Sequence, residues 1–237
     1  MKKIILNHKC YLNYEEINVY KSELNKLNIN NYEVIIFPSV LYLMLFKDFK
    51  YKIGTQNFYG YKSGSFTGEI SLEALKSINV TYTLVGHFER QKLLNENIEM
   101  SKEKLFKSLN SKFNTILFVG ESKKTTRPFR YIKRQLNYYL REIESANVKC
   151  LSIAYEPNWA VGSGDIQCID KITKVINQIK DYILKKYNLD LEVYYGGSVD
   201  EENIQDVMNV TDGIILGKSG TNIDTLKKLV NKLKNLS

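Results

Sequence analysis

The chain has 237 residues, 43% hydrophobic and 25% charged, with a formal net charge of +8. This balance belongs to a folded globular protein and excludes an intrinsically disordered chain. It contains no apolar run near the ~20 residues that a membrane helix needs, so a bilayer-spanning protein is excluded as well.

Taken in chain order, eight short runs rich in β-branched and aliphatic residues read as strands. They are Ile4–Leu6, Val34–Phe37, Ile53–Thr55, Thr83–Val85, Ile116–Val119, Leu151–Ala154, Val193–Tyr195 and Gly213–Leu216. Few of them alternate with polar residues, as expected of parallel strands buried on both faces. Between them lie helical stripes. One is Ile17, Tyr20, Leu24 and Leu27; another is Ile132, Leu136, Tyr139 and Ile143. The strongest runs from Ile169 to Ile183, and Leu226, Leu229, Val230 and Leu233 form the last. Segments after the second, third and seventh strands are shorter and weaker. Strand–helix alternation repeated eight times in roughly 250 residues predicts a closed (β/α)8 barrel, one domain over residues 1–237. A doubly wound open sheet is the competitor. Its Gly-x-Gly-x-x-Gly phosphate loop is missing after the first strand, where Asn7-His8-Lys9 stands.

The apolar stretch at the N-terminus is too short for a signal peptide, and Cys10, Cys150 and Cys168 match neither a metal-ligand spacing nor a disulfide framework. A reduced, cytoplasmic protein is expected. Positive charge leaves phosphorylated metabolites and nucleic acid open as partners. The one local cluster, Lys123, Lys124, Arg127 and Arg130, reads as a surface loop.

In a barrel, functional groups gather at the C-terminal ends of strands. Those ends hold Asn7 and Lys9, Gln56-Asn57, Gly86-His87, Gly120-Glu121, Tyr155-Glu156-Pro157, Gly196-Gly197-Ser198 and Gly217-Lys218. A single such residue is best explained as a cap or turn; their concentration at one end is not. His87 enters a helix, whose positive end disfavours the imidazolium and keeps the ring neutral. Glu156 lies at an extended strand end before Pro157. The segment after it, Asn158 to Gly164 with Trp159 inside, suits a lid as well as an ordinary loop. Glycines at Gly196, Gly197 and Gly217 suit a phosphate site, or simply two tight turns.

These residues together resemble the triosephosphate isomerase family. The resemblance runs in order through Asn7-x-Lys9, Gln56-Asn57, Gly64 to Ser71, Val85-Gly86-His87-Phe88-Glu89-Arg90, Ala154 to Gly164, and Tyr195 to Val199. It implies the TIM barrel and the interconversion of dihydroxyacetone phosphate and D-glyceraldehyde 3-phosphate without cofactor or metal. By the same resemblance, Glu156 is the base, His87 the neutral electrophile, and Lys9 and Asn7 the groups that hold the substrate oxygen and the developing charge. Phosphate is expected at Gly162, Ser198, Gly217 and Lys218. A homodimer is implied in which Thr67 enters the partner's site while Glu69 and Arg90 pair across the interface. No nucleic acid or membrane partner is expected.

The chain departs from the family at Phe88 (a serine there), Lys218 (a glycine), His8 (a tryptophan), Gln91 (an arginine) and Phe118 (a cysteine). Loss of the serine hydroxyl is expected to lower turnover, and the Lys218 side chain puts its phosphate contact in question. Two other readings compete: a different sugar-phosphate barrel, such as an epimerase or synthase, and a catalytically decayed barrel that binds nucleic acid.

Overall fold

The computed structural model describes residues 1–60, 64–143, 145–160 and 167–234. Among these residues eight strands pair in parallel and in sequence order: β1 (Lys3–Asn7), β2 (Glu33–Phe37), β3 (Lys52–Thr55), β4 (Tyr82–Val85), β5 (Asn114–Val119), β6 (Leu151–Tyr155), β7 (Val193–Gly196) and β8 (Gly213–Leu216). β8 closes on β1, so that Ile5 stands opposite both Ile35 and Ile215. Closure removes both sheet edges and rules out the open-sheet alternative. Each expected strand falls inside an observed one.

The stripes become helices where local chemistry starts them. α1 (Tyr14–Lys26) begins at Asn13, whose side chain accepts the N–H groups of Glu15 and Glu16 while the Glu16 carboxylate accepts the Asn13 N–H. This reciprocal pair satisfies donors that the first helical turn leaves open. The weak segments are indeed short: a 3-10 helix at Val40–Phe46, α2 (Leu72–Ser77) and, later, the seven-residue helix Ile204–Val210. β4 leads into two helices, α3 (Phe88–Leu93) and α4 (Ile98–Asn110). α5 (Pro128–Leu140) starts with proline at its first position, where no N–H is needed, and ends before Ile143. α6 (Ile169–Tyr187) buries Ile172, Val175, Ile176, Ile179 and Ile183. α7 (Ile204–Val210), the short α8 (Lys218–Thr221) and α9 (Ile223–Lys234) complete the order.

Two apolar shells result. Ile5, Ile35, Phe37, Leu84, Ile116, Phe118, Ala154, Tyr194 and Ile215 fill the barrel interior. A larger shell, including Leu6, Ile36, Leu117, Ile153 and the buried helix stripes, lies between sheet and helices. Gly54 illustrates the inner packing: a Cβ there would stand 2.2 Å from the Phe37 ring, so β3 gives up a side chain to make room for that phenyl group.

Candidate active site

Strand alternation sets which residues look into the barrel. Ile5, Ala154, Tyr194 and Ile215 belong to the inner shell, and two residues further on the same side come Asn7, Glu156, Gly196 and Gly217. Asn7 and Glu156 are buried, at 4% and 5% exposure. The Asn7 Oδ1 accepts the Lys9 N–H at 3.2 Å, and Lys9 takes a left-handed φ of +50°. That conformation is costly for a lysine and persists only where neighbours hold it. Gln56 does so, donating from Nε2 to the carbonyls of Lys9 (2.8 Å) and Phe37 (2.9 Å). The Lys9 ammonium then pairs with the carboxylate of Glu89 in the first turn of α3.

His87 caps α3. Its Nδ1 accepts the Glu89 N–H at 3.3 Å, which places the proton of the neutral ring on Nε2. That Nε2 lies 3.5 Å from Glu156 Oε2. Burial, helped by the nearby Lys9 and Arg90 cations, lowers the His87 pKa to about 3. The ring is therefore neutral throughout the physiological range, the state expected from its helix-end position but produced here by burial and the neighbouring cations. Burial also pushes Glu156 up, to about 8, against the Lys9 charge and with help from Glu89. Two aromatic rings enclose the imidazole: Phe88 stacks at 5.2 Å between centroids and Phe118 meets it edge-on at 4.7 Å. Both are positions where the chain departs from the family it resembles. Glu156 Oε2 has no hydrogen-bond partner among the described residues, and Phe88 lines the same small hollow as Glu156.

The seventh and eighth strand ends approach these groups closely. A Cβ on Gly196 would lie 3.0 Å from Glu156 Oε1, and one on Gly217 would lie 3.4 Å from Lys9 Cε. Glycine at each position leaves room for a working side chain. Lys218 opens α8 without a left-handed φ, so its backbone needs no glycine and its exposed side chain leaves the fold undisturbed. The Ser198 hydroxyl donates to the Ala160 carbonyl at 2.8 Å, joining the β7 loop to the start of the β6 loop. Gly162, with Ser163 and Gly164 of the expected lid, lies outside the described residues. Trp159 within that segment is held: its indole N–H donates to Glu121 Oε1 at 2.9 Å, and the Lys124 ammonium sits 5.2 Å from its ring centroid. Glu121 is itself buried, and burial raises its pKa. Tyr155 donates to Gln167 at 2.6 Å beside it.

Asn7, Lys9, His87 and Glu156 thus meet at one mouth, with Gly217 against Lys9. Thr67 and Glu69 are exposed, and Arg90 Nε donates to Glu96 Oε2 at 2.6 Å within the same chain. The sequence assigned no role to Glu89, Glu121 or Gln56. Gln56 and Glu121 carried the signal of a strand end, and Glu89 that of its place two residues beyond His87 in the first turn of α3. No three His, Cys, Asp or Glu side chains among the described residues are grouped to hold a metal ion.

Comparison with known proteins gives a consistent picture. The family model described as triosephosphate isomerase matches residues 2–233. The chain is 36% identical over 234 residues to a triosephosphate isomerase of Wigglesworthia glossinidia brevipalpis, covering 92% of this chain and 90% of the relative. It is 32% identical over 231 residues to that of Dictyoglomus thermophilum, covering 91% and 93%. Against the triosephosphate isomerase of Alkaliphilus metalliredigens (strain QYMF) the identity is 37% over 191 residues, 77% of each chain.

Proposed function

The chain belongs to the triosephosphate isomerase family, and from that premise we propose how its residues divide the reaction. The reaction interconverts dihydroxyacetone phosphate and D-glyceraldehyde 3-phosphate through an enediolate, in glycolysis and gluconeogenesis. The roles below are the family's own, carried to the matching positions of this chain.

Glu156 takes a proton from the carbon beside the carbonyl and returns it to the neighbouring carbon. A carboxyl held near pH 8 by burial is basic enough for that work, more so than an ordinary glutamate. His87, neutral and carrying its proton on Nε2, donates to the oxygen that gains charge and passes protons between the two oxygens. Lys9 lies where its charge offsets the enediolate and the phosphate dianion, and Asn7 holds the turn that places it. Backbone N–H groups at Gly162, Ser198, Gly217 and Lys218 receive the phosphate. The observation that carries this reading is the 3.5 Å approach of His87 Nε2 to Glu156 Oε2 in a mouth that Lys9 also enters. A coupled isomerase assay comparing three-carbon with longer sugar phosphates tests it: turnover confined to trioses is expected, and turnover of a pentose or hexose phosphate alone would contradict it.

A homodimer, cytoplasmic in location, completes the proposal. Leu41, Met44 and Leu93 are 79%, 56% and 66% exposed in the single chain, and Phe66 stands exposed beside Thr67. Large apolar groups open to water in this way are what a second copy would cover. Thr67 then reaches the partner's Asn7, Lys9 and His87, with Glu69 pairing across the interface to Arg90. Sedimentation velocity checks this, a single species at twice the chain mass being expected and a monomer at micromolar concentration contradicting it. Among the described residues no helix is long and apolar enough to cross a membrane.

A further inference from the structure

The loop that the sequence offered only as a cationic surface segment becomes one wall of a groove. Between α5 and α6 lies a cavity of 490 Å³, lined by Arg127, Arg130 and Lys133 on one side and Lys171 and Lys174 on the other. That volume is in the range of small-molecule sites. Arg130 and Lys133 are three apart on α5, as Lys171 and Lys174 are on α6, so each helix presents a neighbouring pair of cations. No aspartate or glutamate lines the cavity. Elsewhere on α6, Lys180 pairs with Asp212 and Lys185 with Asp181, whereas none of the five lining cations has a carboxylate partner among the described residues. α5 also enters the groove end-first: Arg127 precedes Pro128 and gives the helix no side-chain cap. Five like charges around one hollow repel each other unless an anion offsets them.

We propose that this groove is a second anion site, separate from the strand-end site, which takes a compact polyphosphate chain such as that of a nucleoside triphosphate. A single phosphate carries about two negative charges, fewer than the five cations that line the groove. Cations on two helices and on the loop that leads into α5 call for a linear polyanion that reaches both helices. The arginines suit phosphate through their planar, multi-donor heads. Phe129 and Val175 add apolar lining, and Gln178 and Thr126 add neutral polar groups.

Calorimetric titration of the full chain with ATP and with inorganic tripolyphosphate tests this. Both should bind at 0.1 M salt, and Arg127→Glu with Arg130→Glu should weaken them about tenfold or more. The same change of charge at Lys52 and Lys112, exposed lysines outside the groove, should leave binding within about twofold, because screening limits distant charges. Lys9→Met should also leave it unchanged. Absence of binding to the unaltered chain would overturn the proposal. So would equal loss from the Lys52 and Lys112 changes, or loss on Lys9→Met, which would place the anion in the strand-end site. A short oligonucleotide that binds through Arg127 and Arg130 when ATP does not would also overturn it.

Discussion

His87 Nε2 faces Glu156 Oε2 at 3.5 Å, and burial drives the two groups' pKa values in opposite directions. Dehydration disfavours each charged form, so the histidine loses its proton more readily and the glutamate keeps it longer. A neutral donor and a strong carboxylate base therefore arise from one physical cause acting on two residue types.

That opposition sets how stability varies with pH. For His87, the native pKa near 3 is below the unfolded value of 6.5, so its contribution is present above pH 6.5 and is lost as pH falls toward 3. For Glu156, the native pKa near 8 is above the unfolded value of 4.5, so the native state loses stability as pH rises from 4.5 to 8. Between pH 6.5 and 8 only Glu156 contributes of the two. Urea unfolding at those pH values should show a loss of about 2 kcal/mol in the unaltered chain. Glu156→Gln should remove most of that difference. A variant that keeps the full slope would show that another group carries it.

Lys9 and Glu89 form an ion pair, which in the proposed mechanism positions the charge that meets the substrate. Lys9→Met should lower kcat/KM by about 10²–10³, the scale on which one preorganised electrostatic contact acts. Glu89→Gln leaves the ammonium in place but unanchored, so a smaller loss, about tenfold, is expected. Steady-state kinetics of both variants check the order; equal losses would contradict it.

Phe88 bears on the base as well as on the imidazole. Phe88→Ser would bring a hydroxyl to a carboxylate whose Oε2 lacks a donor, stabilising its charged form. The acid limb of the kcat/KM profile should move down by about one pH unit, one hydrogen bond to a charged group being worth roughly that much. Phe88→Leu, which adds no hydroxyl, should leave the limb where it is. A shift in both variants would point to lost ring packing instead.

Much of this was legible in the sequence for a simple reason. Ile4–Leu6 and Gly213–Leu216 are apolar without alternation, and only a sheet covered on both faces explains that. The stripe from Ile169 to Ile183 is equally plain because a long helix repeats its period several times. Closure of β8 onto β1 is a long-range pairing with no local signature, so counting strands could not settle it. Asn7, His87 and Glu156 stood out at strand ends, where polar residues follow apolar runs. The role of Gln56 did not, because its hydrogen bonds reach carbonyls at Lys9 and Phe37, far away in the chain. The pairing of Glu121 was hidden similarly, since its partner Trp159 is on a different loop. Lys218 stands where the family has a glycine, and its helical backbone shows that the fold needs no glycine there. Arg130, read in the sequence as part of a loop with Arg127, lies in the first turn of α5, and only the packing of α6 against α5 brings Lys171 and Lys174 to the same groove.

The most direct test shortens one side chain. Glu156→Asp keeps the carboxylate but withdraws it by one methylene from the reacting carbon, while the barrel fold and the enclosure of His87 should persist. In a coupled assay on a preparation free of host isomerase, kcat should drop by about 10²–10³, with KM changed far less and the circular dichroism spectrum unaltered. A well-folded aspartate variant that turned over triose phosphate at the rate of the unaltered chain would show that the proton goes elsewhere.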